Sequence, residues 1–462
     1  MILTLNTWLD LLSKEAPDEL NRVSRQVDPA NFESAAIVDG LERKGRFPAV
    51  LFEKVTDVKG RATSCRILNN TFGTFRKIGL ALGINSDKRM ELLELILKKS
   101  SEGFSPNRIR LKEAPVRGFL HKGGGVDLSR LPLVRHTELD GGPYFTPVVV
   151  SRDPHGRYNV SWNRMQYLDE RHLAIYMSPR HLWSYFAAQE AEGKDLPIAV
   201  VLGHHPAFHL TGSMLVPIGL DEYAATGGVM GHGLRLVSSE TWGEDFWIPA
   251  DAEIVLEGRI LARRRCVEGP FGEFTGYTGA QRLSWVVEVD AVYGRENPTI
   301  IDIFPCKTEH INAHLPIEAS IYSRAREAVP GIVKTCWVGS GGPFNLIISL
   351  NKKTEGEPMR AAMAAMSASN FIKHVIVVDS DVDPENKAEV MWALASRVQA
   401  DQDVTILKNL QGQVLDPSLR HEIKSSGMII DATLPLDRPF PQRGEVPEEI
   451  RKKINLSEYL EG

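Results

Sequence analysis

Eight short β-rich runs follow one another between residues 147 and 304, with few helical stretches among them: PVVVS, YNVSWNRMQ, LAIYM, IAVVLG, LRLVS, AEIVLEGRIL, SWVVEVDAVY and TIIDIF. Gly, Pro and Asp punctuate them. Such a series predicts a barrel or a sheet folded over on itself. From residue 330 the pattern changes. FNLIISL, KHVIVVD and DVTIL alternate with EPMRAAMAAMSASNF and PENKAEVMWALASRVQ, a β-α-β order that predicts a parallel sheet. The stripe Met359, Ala362, Met363 and Met366 reads as a packing surface. Residues 1–105 mix both signals. There NSDKRMELLELILKKS predicts a helix with Ser86 at its N-cap, Met90, Leu93 and Leu97 on one face, and Lys98 and Lys99 in its last turn. Residues 106–147, rich in Pro and Gly, read as a long ordered connection.

A chain of 462 residues exceeds one ordinary core, so two to four domains are expected. Lys and Arg number 54 against 59 Asp and Glu, a net charge of -5, and no basic excess or Lys/Arg run argues for nucleic acid or an anionic membrane as main partner. Cys65, Cys266, Cys306 and Cys336 lie far apart and form no CxxC pair. That disfavours structural zinc and disulfides and suits a reducing compartment. The N-terminus lacks a basic n-region and carries Asp10 within its apolar stretch, and no apolar run approaches the roughly 20 residues of a membrane span. The expectation is a soluble, cytoplasmic protein.

Four constellations could carry chemistry. Asn159 and Ser161 alternate with Val160 and Trp162, so they share one face of a strand that Arg164 follows. In LAIYMSPRHLWSYF, Ser178 is a natural N-cap with Pro179 at N1, which puts Arg180 and His181 in the first helical turn. Free N–H groups beside an Arg and a His suit an anion, phosphate above all; an ordinary capped helix is the alternative. In VEGPFGEFTGYTG, Glu268 and Glu273 flank a Gly-Pro-Phe-Gly turn and can meet at the mouth of a hairpin. Two close carboxylates push their pKa values apart, leaving one able to donate a proton near neutrality; a plain hairpin with exposed Glu is the alternative. Finally, His205 and His209, and His310 and His314 with Glu309 beside them, have i,i+4 spacing, but Pro206 interrupts the first pair and neither is HExxH. The carboxylates of VVDSDVDPE could hold a cation or, at Asp383, cap a helix.

DGGPYFTP, NVSWNRMQ, SPRH, the Asp-Glu-Tyr of LDEYAATGG, IPADAEIVLEG and above all EGPFGEFTGY resemble the UbiD family of reversible decarboxylases, which use prenylated FMN. The resemblance is strong over roughly residues 115–310 and holds elsewhere in order and length. It implies a mixed α/β fold: an N-terminal α/β region (1–115), a central split β-barrel that binds prenylated FMN (116–312) and a C-terminal α/β oligomerisation domain (313–462). By the same resemblance the catalytic Arg-Glu-Glu set falls on Arg164, Glu268 and Glu273, and the divalent-metal ligands on Asn159, His181 and Glu222, a set that suits Mn²⁺. Ser161, Trp162, Asn163 and Arg180 would join Arg164 and the metal ligands around the cofactor. A potassium ion would take carbonyls around Gly212 to Met214. The implied reaction passes through a covalent substrate–cofactor adduct, with Arg164 orienting the carboxylate, Glu273 delivering the proton that replaces CO₂, and Glu268 tying the two together.

One departure from the family stands out. Relatives often carry a Lys shortly before the C-terminal Asp-Ala-Thr, near the flavin phosphate; here SSGMIIDAT puts Gly427 there, and Lys424 is the nearby amine. The expected substrate is a small aromatic, heteroaromatic or α,β-unsaturated acid, because no basic amphipathic helix suits a polyprenylated one. A flavin prenyltransferase would supply the cofactor, and a homodimer or higher homo-oligomer is expected. The competing readings are a decarboxylase of a polyprenylated 4-hydroxybenzoate, a metal-dependent hydrolase built on the histidine pairs, and a non-catalytic flavin-binding protein. Joint retention of Arg164, Glu268 and Glu273 speaks against the last, and the lack of HExxH against the hydrolase.

Overall fold

The computed structural model describes residues 2–217, 219–339, 342–420 and 423–460. Its central element is a nine-stranded sheet in which every pairing is antiparallel. The strand order is Tyr144–Phe145, Met165–Tyr167, His172–Ile175, Arg282–Gly294, Ile254–Glu268, Leu196–Val201, Val148–Arg152 and Tyr158–Trp162, with Phe119–Lys122 also paired to Arg282–Gly294. Tyr158–Trp162 ends this path, six strand steps from Met165–Tyr167, yet only Asn163 and Arg164 join the two in sequence. Laid flat, six steps would separate them by about 29 Å. Three residue steps reach about 11 Å at most. The sheet must therefore curl until its two sides meet, and Asn163 and Arg164 lie in the seam. This is the folded-over sheet that the run of short strands predicts. Val149, Ile175, Ile198, Val200, Leu256 and Val287 fill one face, and helix His181–Ala191 adds Leu182 and Phe186 to the same cluster.

The N-terminal region opens with helix Leu5–Glu15, whose Thr4 and Thr7 form a reciprocal capping box. Its four-stranded sheet runs Leu20–Val23, Ala49–Phe52, Arg66–Asn69 and Thr299–Ile301, so its last strand comes from the far end of the central region. The predicted helix is present as Arg89–Glu102, but Lys88 is its N-cap; Ser86 lies two residues earlier, accepting from Lys88 N and donating to Glu91 at 2.5 Å. Leu92, Leu93 and Ile96 are its buried face, with Met90 and Leu97 at the margin.

The C-terminal sheet is mixed rather than parallel. Asn345–Leu350, His374–Asp379 and Lys424–Ala432 run parallel, but Ile332–Trp337 and Val404–Gln411 flank them antiparallel. The DVTIL strand returns into Lys424–Ala432 with no helix among the described residues between them, so it does not make the helical crossover of a parallel pair. Within Glu357–Ala368, Ala361, Ala362 and Ala365 are buried and Met359 and Met366 pack beside them, whereas Met363 points to solvent. Asp383 does not cap a helix: Asn386 caps Lys387–Arg397, and Asp383 pairs with Lys334 at 3.1 Å.

Candidate active site

Arg164, delivered by the seam, is the centre of a buried charge network. Its Nε donates to Glu268 Oε1 at 2.8 Å and its Nη2 to Glu268 Oε2 at 3.1 Å, while Nη1 pairs closely with Glu273. The guanidinium lies between Tyr176 and Phe271, 4.8 Å from each ring centroid. Glu268 ends the strand Ile254–Glu268 and is 0% exposed; Glu273 follows the two-residue strand Phe271–Gly272 and is 5% exposed. The two carboxylates therefore do converge, and the exposed-hairpin alternative does not hold. Burial pushes the Glu273 carboxyl above its ordinary pKa, and the Arg164 guanidinium offsets this only in part. For Arg164, burial works against the charge, but the two carboxylates more than reverse it and keep it a cation.

A second cluster stands beside the first. Asp221 caps the helix Glu222–Met230 by accepting from Tyr223 N and Ala224 N, and its other oxygen takes Tyr158 N at 3.0 Å, which locks the helix start to the strand carrying Asn159. Glu222, at the first helical position, then accepts from Asn159 Nδ2 at 2.9 Å on both oxygens and from Val160 N at 2.7 Å, and meets His181 Nδ1 at 2.9 Å. His181 opens the helix His181–Ala191, so two helix N-termini face this point. Ser178 is not the cap of that helix; Arg180 occupies the cap position with extended backbone and no side-chain bond, and Ser178 offers its carbonyl to Arg180 N at 2.7 Å.

One cavity of about 640 Å³ joins the two clusters. It is lined by Asn159, Ser161, Trp162, Asn163, Arg164, Arg180, His181, Glu222 and Glu273, all singled out from the sequence. Glu268 is not in the wall but behind Arg164. Ser161 Oγ bonds Asn163 Oδ1 at 2.9 Å, and Asn163 Nδ2 donates to Tyr176 O at 3.1 Å. Trp162 is fixed by its indole N–H to His209 O at 2.6 Å and its backbone N to Gly212 O at 3.1 Å.

Other wall residues were not assigned from the sequence. Phe271 and Phe274 lie within the acidic motif and Tyr176 just ahead of SPRH, but Ile303, Ile317, Arg324 and Phe371 come from segments with no motif, and only the fold brings them in. The Arg180 guanidinium lies 5.5 Å from the Phe371 ring, bridging the central and C-terminal regions. Neither Lys424 nor Gly427 reaches the cavity: Lys424 is exposed at the start of Lys424–Ala432, in a separate cleft with Ser418 and Arg420. The arginines in the wall are Arg164, Arg180 and Arg324.

The histidine pairs separate. His205 caps the short helix Pro206–Thr211 and His209 is wholly buried; burial depresses each to a pKa of about 3. His310 and His314 line the cavity, and burial lowers His310 well below its usual value and His314 to about 4. Among the described residues no three His, Cys, Asp or Glu side chains group to hold a metal ion. The set Asn159, His181 and Glu222 contributes two such groups and an amide.

A curled antiparallel barrel with a buried Arg-Glu-Glu network on a deep cavity defines a ligand-binding enzyme centre. Models of the 3-octaprenyl-4-hydroxybenzoate carboxy-lyase match the chain along three stretches: the N-terminal domain over residues 11–96, the Rift-related domain over 107–308 and the C-terminal domain over 310–432. A phenolic acid decarboxylase of Sedimentibacter hydroxybenzoicus is 32% identical over 459 residues, covering 96% of this chain and 94% of that protein. An anhydromevalonate phosphate decarboxylase of Methanothermobacter thermautotrophicus is 36% identical over 326 residues, covering 68% and 75% respectively. The solved UbiD-class enzyme HmfF of Pelotomaculum thermopropionicum, in complex with FMN, superimposes with a TM-score of 0.89 at 35% identity over 99% of this chain and 100% of that one. The chain belongs to the UbiD family of carboxy-lyases.

Proposed function

We propose that this protein is a prenylated-FMN-dependent, reversible decarboxylase of a small aromatic, heteroaromatic or α,β-unsaturated carboxylic acid. The observation that carries this reading is the Arg164–Glu268–Glu273 network opening onto the same cavity as the Asn159–His181–Glu222 cluster. Decarboxylases among the relatives, and the FMN and prenylated-FMN complexes of HmfF, support it. The residues present fit such a cofactor. The cavity volume lies within the roughly 300–1,000 Å³ of small-molecule sites. Trp162 would wall the flavin, and the helix start at Arg180 and His181 would meet its phosphate. A carboxylate, an imidazole nitrogen and, with its amide turned, the Asn159 oxygen form a donor set suited to Mn²⁺. Carbonyls from Gly212 to Met214 would serve a potassium ion; that of Gly212 already takes Trp162 N.

When bound, the modified flavin supplies an electron sink for the pair left by departing CO₂. Arg164 holds the substrate carboxylate with a guanidinium that cannot deprotonate. Glu268 clamps Arg164 from behind with two bonds. Glu273, whose burial favours its protonated form, delivers the proton to the carbon that loses CO₂. Phe271, Phe274, Ile303 and Phe371 exclude water and flank a planar ring. The reading carries with it a flavin prenyltransferase as cofactor supplier, a homo-oligomer and a cytoplasmic location; no helix among the described residues is long and apolar enough to cross a membrane.

The test is a panel of benzoic, phenolic, cinnamic, pyrrole, furan and indole carboxylic acids, following CO₂ release and deuterium incorporation by protein made alongside a flavin prenyltransferase. Turnover of at least one small acid is expected. Turnover confined to a long-chain polyprenylated benzoate would overturn the substrate class and leave the decarboxylase assignment standing.

A further inference from the structure

The DGGPYFTP stretch has no part in the chemistry above, yet it lies directly under the segment that carries both glutamates. Gly141 N donates to Pro270 O at 2.8 Å, and Gly272 N donates to Asp140 Oδ1 at 3.3 Å. A Cβ on Gly141 would stand 2.2 Å from Gly269 O, so the two backbones touch with no room for a side chain. Gln166 Oε1 accepts Gly269 N at 2.9 Å, and the Tyr144 hydroxyl lies 3.2 Å from Pro270 O and 3.4 Å from Glu268 Oε1. Asp140 itself is buried and satisfied on all sides: Oδ2 accepts from His136 N at 2.9 Å and Thr137 N at 3.0 Å, and Oδ1 takes the Thr137 hydroxyl at 2.6 Å besides Gly272 N.

This matters because, Pro270 apart, the segment between the glutamates has little stiffness of its own. It contains two glycines, Gly269 has φ +90°, and the strand Phe271–Gly272 is two residues long. Only Gly272 separates the contact with Asp140 from Glu273. We infer that Asp140 and Gly141 are positioning residues: they pin the backbone on both sides of Phe271, so that Glu268 and Glu273 meet Arg164 together. The catalytic consequence rests on the role proposed for Glu273; the structural one does not.

The test uses Gly141→Ala and Asp140→Asn, each made with the flavin prenyltransferase and compared with wild-type holoenzyme by crystallography and by kinetics on the best acid of the panel. Gly141→Ala is expected to push Gly269–Gly272 away and open the Glu273–Arg164 pair. Asp140→Asn keeps the turn by accepting from His136 and Thr137 N–H, but it turns an amide N–H toward Gly272 N–H and the Thr137 hydroxyl; the hydroxyl can reverse and accept, whereas the Gly272 contact is lost. Displacement of about 1 Å should lower kcat by roughly 100-fold with KM changed far less. Flavin content should hold, since the residues proposed around the cofactor sit on other elements. If Gly141→Ala fails to fold, Asp140→Asn decides. A Gly269–Glu273 segment that superimposes on wild type in the variant crystals would overturn the proposal, as would an unchanged kcat. If wild-type enzyme turns over no acid, the functional reading fails, while the crystal structures still decide the positioning claim.

Discussion

Replacing Glu273 by Gln separates its proton from its shape. The fold should tolerate the change, because Arg164 keeps both bonds to Glu268, at 2.8 and 3.1 Å, and the Gln amide oxygen can still accept from Nη1. One ion pair becomes a hydrogen bond from the Arg164 cation to a neutral amide, a loss of about 1 kcal/mol. In a chain this size that moves Tm by about 2–4 °C or less. Burial raises the folded pKa of Glu273 above its unfolded value, so its contribution to stability is present below the unfolded pKa and lost as pH rises through the folded one. Gln has no such loss, and the Tm of the variant relative to wild type should improve from acid to neutral pH. Catalysis should respond very differently. A positioned acid–base group contributes roughly 100-fold or more, about 2.7 kcal/mol of barrier. Wild-type decarboxylation should decline as pH rises through the raised pKa and the donor ionises, and the residual rate of the variant should lack that limb. The assay is CO₂ release together with exchange of the product's ring proton with deuterated solvent, at several pH values and at matched flavin content. A variant that decarboxylates and exchanges at wild-type rates would refute the assignment of Glu273 as proton donor.

Two further outcomes follow from the same geometry. Glu222→Ala removes the group on which Asn159 and His181 converge, so Mn²⁺ measured by elemental mass spectrometry should fall at least about 10-fold, with flavin retention falling too; unchanged metal would remove Glu222 from the ligand set. Gly212→Ala would place a Cβ 2.4 Å from the Trp162 ring, so denaturant unfolding should show a loss of about 1–3 kcal/mol together with weaker flavin loading, and wild-type behaviour would show that Trp162 is not held where the cavity needs it.

Much of the site was legible because its parts are local. Asn159, Ser161, Trp162 and Arg164 sit on one strand and the seam that follows it, and the acidic pair flanks a single short Gly-Pro-Phe-Gly turn. The short strands between residues 147 and 304 point to a curled sheet, which six of the eight runs build; LRLVS pairs in a separate three-stranded sheet and TIIDIF joins the N-terminal one. What escaped depends on the route of the chain. Ser86, Ser178 and Asp383 all look like helix caps, yet Lys88, Arg180 and Asn386 hold those positions, because the entry path decides which residue turns into the helix. The C-terminal sheet is mixed because an edge strand folds straight back, which a β-α-β pattern cannot reveal. Phe371 and Arg324 reach the cavity only through the packing of the C-terminal region on the barrel. His310 and His314, which resemble a metal pair by spacing, turn out to be half-buried cavity-wall residues whose surroundings lower their pKa values. Lys424, the amine that sequence position suggests for a phosphate, opens into a different cleft.

The central claim is that this cavity holds a prenylated flavin and uses it for decarboxylation. Mass spectrometry of the small molecule released from protein made with and without a flavin prenyltransferase tests this most directly, with activity on the acid panel measured on the same two samples. The account predicts prenylated FMN and turnover in the first sample, and little or no turnover in the second. Release of only haem, pyridoxal phosphate or zinc, or equal activity in both samples, would contradict it.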